Sequence, residues 1–276
     1  MSSSGLRILT WNILSGNPFS KEGLEHINVL GKAAKDVDII LLQEMKIPEE
    51  SQEWKAFKRR LGGFFWAHSS NRLKGKRINR GCAVGVRKTK CNGLRTLARD
   101  DFGRGIVIET EMEGHTLEIA SLYIPQDERR SFWQEFTYPE RPGAKIIGGD
   151  FNVTIDPEKM DDFNLLMKWM EDHKMHLCPN SIPTHGRGNV IDYIFVSSEY
   201  AEHNITTAVI AGTSLDHNIL FAELNPKAPT GTRSLPEEMC KSRVFVQEIL
   251  NQIGPYQGKE PWEYLKKFKK TAWKLR

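Results

Sequence analysis

Long apolar runs are missing from this 276-residue chain. A membrane-crossing helix needs about 20 consecutive apolar residues, and no stretch comes near that length. The opening "MSSSGLRILT" also lacks the apolar core of a secretory signal, so the sequence reads as a soluble protein with no membrane partner and no visible export address. Cysteine is scarce as well: Cys82, Cys91, Cys178 and Cys240 stand singly, with no C-x-x-C pair and no histidine at finger spacing. That argues against a structural zinc site and for a reducing compartment. Internal repeats and low-complexity tracts are absent too.

What is present is the 39% hydrophobic and 27% charged composition of an ordinary globular protein. The length allows one large core, or one domain of about 220 residues and an extension. Net charge is +4, and the excess is uneven. "RLKGKRINR" (72–80) holds five basic residues and no acidic one, and "YLKKFKKTAWKLR" closes the chain in the same way. Such runs are ordinarily solvated surface, but a polyanion would seek them.

Strand patterns recur at 6–13, 37–44, 81–87, 104–112, 116–124, 144–149, 190–196 and 217–224. Some alternate and others are apolar throughout, as when strands with one wet face sit beside strands buried on both. Two helical patterns fall between them. "SQEWKAFKRRL" places Trp54, Phe57 and Leu61 on one face behind a Ser51 cap, and "EKMDDFNLLMKWMED" does the same with Met160, Phe163, Met167 and Met170. These stripes read as core-facing surface, and the mixture as an α/β fold of two sheets covered by helices. After Leu224 the Pro-rich "NPKAPTGTRSLPEE" reads as a linker. A main domain over 1–226 and a basic helical extension over 227–276 follow.

Polar groups of little use to a core stand where strands begin or end. They are Asn12, Glu44, Tyr123, the Asp150 and Asn152 of "IIGGDFN", Asp192, and the pair Asp216 and His217. Each alone has an ordinary account as a turn former, an exposed strand end or a satisfied core residue. Brought together at one edge, they would suit phosphodiester hydrolysis, which needs a divalent cation, a base for the attacking water and donors for the phosphate. Glu44 and Asp216 offer hard oxygens for Mg²⁺. Asp150 can serve as the base and Asn12, Asn152 and Tyr123 as donors. A carboxylate behind His217 would hold it in one tautomer and favour the imidazolium.

In this order, "LTWNI", "LLQE", "SLYIP", "GGDFNV", "IDYIFVS" and "LDHNIL" resemble the motif series of the exonuclease–endonuclease–phosphatase superfamily. Its members include DNase I, exonuclease III-type abasic endonucleases and the endonuclease domains of non-LTR retrotransposons. The resemblance covers about residues 6–224. It implies a DNase I-like four-layer α/β sandwich and Mg²⁺-dependent phosphodiester cleavage, with Mn²⁺ able to substitute. On the matching positions it implies Glu44 as the metal ligand, Asn12 beside it and Asp216 as a second contact. Asp150 matches the water-activating residue, Asn152 and Tyr123 the phosphate contacts, and Asp192 the partner of the catalytic His217.

The chain departs from the abasic endonucleases at Leu14, where they carry an acidic residue. It departs again at Leu215, where they carry serine, and at Gln126, which lengthens the usual asparagine arm. "PTHGRGNVIDYIF" resembles the retrotransposon branch. That branch implies a nick in double-stranded DNA leaving a 3′-hydroxyl, action in the nucleus, and a reverse transcriptase following in a longer polyprotein. Lys74, Lys76, Arg77, Arg80 and Gln126 are the expected DNA contacts. The alternatives are an abasic-site repair enzyme, a deadenylase or a lipid or inositol phosphatase of the same fold, and a noncatalytic scaffold.

Overall fold

The computed structural model describes residues 5–71, 78–139, 141–154, 160–200, 202–212 and 216–226. They belong to a compact unit spanning Met1–Pro226, and the second unit, Lys227–Arg276, lies outside the described residues together with Cys240. The first sheet is built from β1 (Leu6–Asn12), β2 (Ile39–Gln43), β3 (Phe64–Ser70), β4 (Gly81–Arg87), β11 (Asn204–Ile210) and β12 (Ile219–Asn225), in the order β11-β12-β1-β2-β4-β3. The second holds β5 (Arg95–Arg99), β6 (Gly105–Met112), β7 (His115–Tyr123), β8 (Ala144–Asp150), β9 (Met175–Leu177) and β10 (Asp192–Ser197), in the order β5-β6-β7-β8-β10-β9. Each sheet has one parallel pair, β1 with β2 and β7 with β8, and is otherwise antiparallel.

The sheets face each other across one apolar layer. Ile8, Ile39, Leu41 and Val84 of the first sheet meet Ile108, Ile119, Ile146 and Ile194 of the second, all fully buried. Each such side chain contributes roughly 1.5–3 kcal/mol by leaving water, and their alternation along the strands fixes the register. The layer also holds one polar knot. Gln43 Nε2 donates to Thr10 Oγ1 (3.2 Å) and to Ser121 Oγ (3.0 Å), while Ser121 Oγ donates to Leu42 O (2.9 Å). It ties the sheets together one residue from Glu44 and two residues from Asn12 and from Tyr123.

Helices cover the outer faces. α2 (Gln52–Arg60) starts at Ser51, whose side chain accepts from Trp54 N, as the sequence pattern predicts. Trp54, Phe57 and Leu61 are buried. α4 (Met160–Asp172) buries Leu166 and Met170 against Phe132, Phe151, Tyr193 and Phe195, with Phe163 and Met167 partly covered. Met170 is buried as the sequence pattern predicts, and Leu166 joins it at the centre of that face. Two helices have no counterpart in the sequence reading. One is α1 (Lys21–Ala33), capped by Ser20 onto Gly23 N, and the other is the seven-residue α3 (Arg129–Glu135). Cys82, Cys91 and Cys178 are buried free thiols.

Candidate active site

The polar strand ends do meet. β8 lies between β7 and β10, in a register that sets Asp150 beside Tyr123 on one side and Asp192 on the other. Asn12, at the end of β1 in the opposite sheet, reaches across: its Nδ2 donates to Glu44 Oε1 and to Asp150 Oδ2, both at 2.9 Å. The two glycines before Asp150 make this approach possible. A Cβ at Gly148 would lie 2.6 Å from Leu41 Cδ1 across the sandwich, and one at Gly149 only 1.8 Å from Leu122 O on β7. A side chain at Gly149 would push β8 away from β7, and one at Gly148 would displace Leu41 from the layer between the sheets.

The backbone around this junction is strained. Of the seven non-glycine residues with positive φ among the described residues, Leu14 (56°), Glu44 (50°), Lys46 (52°) and Asn152 (51°) flank the site. Such conformations cost energy and persist where surroundings over-determine them. Here the Leu14 N–H bonds Asn12 Oδ1 (3.1 Å), and the Asn152 N–H bonds Asp150 Oδ1 (3.0 Å). Met45, fully buried between Glu44 and Lys46, donates to Gly81 O (3.0 Å) and accepts from Gly16 N (2.9 Å). Asn12 and Asp150 are thereby held at both ends.

His217 stands against two carboxylates. Its Nδ1 is 3.3 Å from Asp192 Oδ2 and its Nε2 3.7 Å from Asp150 Oδ2. Burial alone would lower the imidazole, but the hydrogen bond and charge of Asp192, with Asp150 and Glu44 behind, outweigh it and lift the pKa to about 9. His217 is therefore a cation at neutral pH. Asp150 is pushed up to about 7, first by complete burial and then by the Asp192 charge, against the pull of His217, Asn12 and the Asn152 N–H. A carboxylate poised near neutrality is suited to take a proton from water. Tyr123 is raised as well: burial, then the charges of Glu44 and Asp150, push its phenol up and keep it a protonated donor.

Thr184 and His185, in the loop before β10, complete the surroundings. Thr184 is fully buried and its Oγ1 accepts from both Ile191 N and Asp192 N at 3.1 Å. Its carbonyl accepts from Asn218 N at 2.7 Å, so one threonine clamps Asp192 to the segment carrying His217. The His185 ring packs edge-to-face on His217 at 5.1 Å. Trp11 Nε1 donates to His217 O at 3.3 Å.

Other expectations fare differently. Asp216 is exposed, and its backbone carbonyl is what the fold holds, through Gly186 N at 2.8 Å. Asn152 Nδ2 donates to Ile124 O (3.1 Å), so the amide anchors the loop after β7 as well as facing the site. Arg80 has an acidic partner that the local sequence conceals: its guanidinium forks onto Glu128 at 3.0 and 2.7 Å. The same Glu128 meets Arg104, a buried arginine also paired with Asp100 and Glu135. Gln126 is exposed. Lys74, Lys76, Arg77 and Leu215 lie outside the described residues.

Among the described residues, Asp150, Asp192 and His217 bring three possible ligand atoms within 4.8 Å of one another. Glu44 and Asp216, the metal contacts expected from the sequence, stand outside this trio. An imidazolium has no lone pair for a metal; in this trio Asp192 is hydrogen-bonded to His217 Nδ1, while Asp150 faces Nε2 at 3.7 Å as an ion pair beyond hydrogen-bond length. The hard oxygens of Glu44, joined to Asp150 through one amide, fit Mg²⁺, which takes one or two carboxylates and keeps several waters. Glu44 Oε2 meets the Lys46 ammonium at 2.8 Å, a cation where a cation is wanted.

The match to the endonuclease/exonuclease/phosphatase family model runs over residues 9–217. The chain belongs to this family. A comparison with curated proteins finds no match. Among solved structures, the endonuclease domain of TRAS1, a telomere-specific non-LTR retrotransposon, superposes with a TM-score of 0.60 at 16% identity, covering 81% of this chain and all of that one. The abasic (AP) endonuclease LMAP from Leishmania major gives 0.59 at 15% identity, over 82% of this chain and 89% of that one. An AP endonuclease from Archaeoglobus fulgidus gives 0.56 at 17% identity, over 79% and 98%. At such identities the likeness carries the fold, and the family match carries membership in a group of nucleases and phosphatases.

Proposed function

We propose that this protein nicks double-stranded DNA in a divalent-cation-dependent hydrolysis that leaves a 3′-hydroxyl. The observation that carries the reading is Asp150, buried and near neutrality, between Asn12 with Glu44 on one side and the Asp192–His217 pair on the other. Glu44 holds the cation, Mg²⁺ or Mn²⁺, which when bound supplies positive charge to the phosphate oxygens. Asp150 takes the proton of the attacking water. His217, kept charged by Asp192, and the protonated Tyr123 donate to the phosphate as negative charge builds. Asn12 keeps Asp150 and Glu44 in register. In-line attack breaks the bond between phosphorus and the 3′ oxygen, which takes a proton from solvent and leaves as the 3′-hydroxyl, with the phosphate kept on the 5′ oxygen.

Such an end can prime a polymerase directly, which suits the target-site nicking domain of a non-LTR retrotransposon acting in the nucleus, with a reverse transcriptase further along a longer chain. The likeness to the TRAS1 domain and the "PTHGRGNVIDYIF" segment support this branch. Lys74, Lys76 and Arg77 contact the DNA backbone in this reading, with Arg80, the last residue of the same basic run, fixed by Glu128. The likeness to AP endonucleases supports a second reading, incision at abasic sites.

One experiment separates them. Supercoiled plasmid is treated with and without Mg²⁺, and the nicked product is offered to a DNA polymerase without phosphatase treatment. Extension from nicks in intact DNA supports the first reading; cleavage confined to abasic DNA selects the second. Ends that need 3′-phosphate removal overturn the polarity, and no cleavage with either substrate overturns both.

A further inference from the structure

The mechanism above does not use Lys46. Lys46 follows Glu44 by two residues, and both have left-handed backbones, pinned by the buried Met45 between them. This local geometry folds the Lys46 side chain back so that its ammonium meets Glu44 Oε2 at 2.8 Å, while Glu44 Oε1 accepts from Asn12. The pair is not sealed off: the Lys46 side chain is 33% exposed and that of Glu44 15%. Lys46 also lines a groove of about 730 Å³ beside the site, with Ser15, Asn17, Ser20 and Asn79 on its walls and Glu22 as the one carboxylate. The ammonium thus sits where a carboxylate oxygen faces the cleft, at the edge of a groove rich in amide and hydroxyl groups.

We propose that Lys46 has two stations. In the cation-free protein its ammonium neutralises Glu44. When a divalent cation takes that oxygen, Lys46 turns into the groove and binds a phosphate of the nucleic-acid strand next to the scissile one. The second half rests on the nuclease reading above; the first does not. A hard dication takes a carboxylate oxygen at about 2.1 Å, and an ammonium cannot keep its contact to the same oxygen against that charge. A flexible four-carbon stem allows the head to swing without moving the backbone. The groove then offers a strand phosphate the Lys46 charge together with the Asn17 and Asn79 amides. Cation and substrate binding become linked in both directions, because each is favoured by the Lys46 position that the other produces.

The test uses Lys46→Met, which keeps the length of the stem and removes the charge, and Lys46→Arg, which keeps the charge. Mn²⁺ binding to each free protein is followed by the loss of the free-ion spin-resonance signal, with no DNA present. Lys46→Met should bind Mn²⁺ at least threefold tighter than the wild type, and Lys46→Arg should not. Binding of a short fluorescein-labelled duplex is then measured against salt, in EDTA and in Ca²⁺. The slope of log K against log salt should be shallower for Lys46→Met by about 0.9, one phosphate contact, in Ca²⁺ only.

Equal Mn²⁺ affinity for the wild type and Lys46→Met overturns the exchange, whatever the DNA result. Equal slopes in Ca²⁺, or a difference already present in EDTA, overturn the phosphate station. If the Mn²⁺ difference holds but the protein neither binds nor nicks DNA, the nuclease reading falls and the exchange at Glu44 stands. Because Lys46 is on the surface, wild-type melting temperatures are expected for both variants; should Lys46→Met melt lower, Lys46→Gln replaces it in every arm.

Discussion

Asp192 Oδ2 lies 3.3 Å from His217 Nδ1, with both side chains buried. This contact reverses what burial would do to the histidine and makes it a cation at physiological pH. In the cation-free protein, the His217 ring should titrate at about 9 when followed by ¹⁵N or ¹³C nuclear magnetic resonance. In Asp192→Asn the main opposing influence is gone, and the titration should drop by more than a unit. Turnover should fall roughly 10–100-fold, as when a carboxylate orienting a functional histidine is removed. An unmoved titration would mean that Asp192 does not set the charge of His217.

Glu44 and Asp150 share one Asn12 amide group, so neither can be lost without disturbing the same unit. Glu44→Ala and Asp150→Ala should each reduce plasmid nicking by roughly 10³-fold or more while the far-ultraviolet circular dichroism stays native. Raising Mg²⁺ should restore part of the activity of Glu44→Ala and none of that of Asp150→Ala. Wild-type rates in either variant would sink the assignment.

Thr184 makes a different kind of contribution. Its buried hydroxyl accepts from two backbone N–H groups, those of Ile191 and Asp192. Thr184→Val keeps the shape and leaves both donors buried without a partner, at a cost of about 1–3 kcal/mol each before relaxation. The expected outcome is a melting point lowered by several degrees and a reduced kcat, because Asp192 starts β10 from this clamp. Thr184→Ser should recover both. If Thr184→Val melts like the wild type, the clamp is not what positions Asp192.

The eight strands legible in the sequence are the eight interior strands of the two sheets, and the four missed ones, β3, β5, β9 and β11, are the four edges. An interior strand is enclosed on several sides and must be apolar, whereas an edge such as "RTLAR" (95–99) or "NITTAVI" (204–210) is partly exposed along its whole length and carries polar residues. α1 was hidden by Gly23 and Gly31 within its pattern. At the site, residues standing at the ends of interior strands, Asn12, Glu44, Tyr123, Asp150 and Asp192, were readable because polar groups contrast with the apolar runs beside them. Thr184 stood in the quoted "PTHGRGNVIDYIF" segment but its clamp on Asp192 forms only in the fold, and Lys46 gave no signal, because a half-buried lysine looks like every other one until the chain folds. Arg80 looked unpaired because Glu128 is 48 residues away.

The pKa shifts of the Asp150–His217 pair also make a statement about stability. Asp150 rises from 3.8 to about 7, so between those values the folded protein binds a proton that the unfolded chain has released. Its contribution is fully present below pH 3.8 and is lost as pH rises through 7. His217 rises from 6.5 to about 9, so its contribution is fully present below 6.5 and is lost as pH rises through 9. Both have the same sign, and in the absence of divalent cation the site should become steadily less favourable from pH 4 to pH 9. Asp150→Asn removes the first part. The variant should match the wild type near pH 4 and melt higher at pH 8, by about 1–2 kcal/mol or roughly 2–8 °C for a domain of this size. Mg²⁺ should narrow that gap by stabilising the wild type, since it binds the folded site and not the unfolded chain. A scan of melting temperature against pH, with EDTA and with Mg²⁺, reads all three effects. If Asp150→Asn melts below the wild type at pH 8 in EDTA, the ionised carboxylate is a net stabiliser of the fold, and its place as a base held near neutrality by burial is lost.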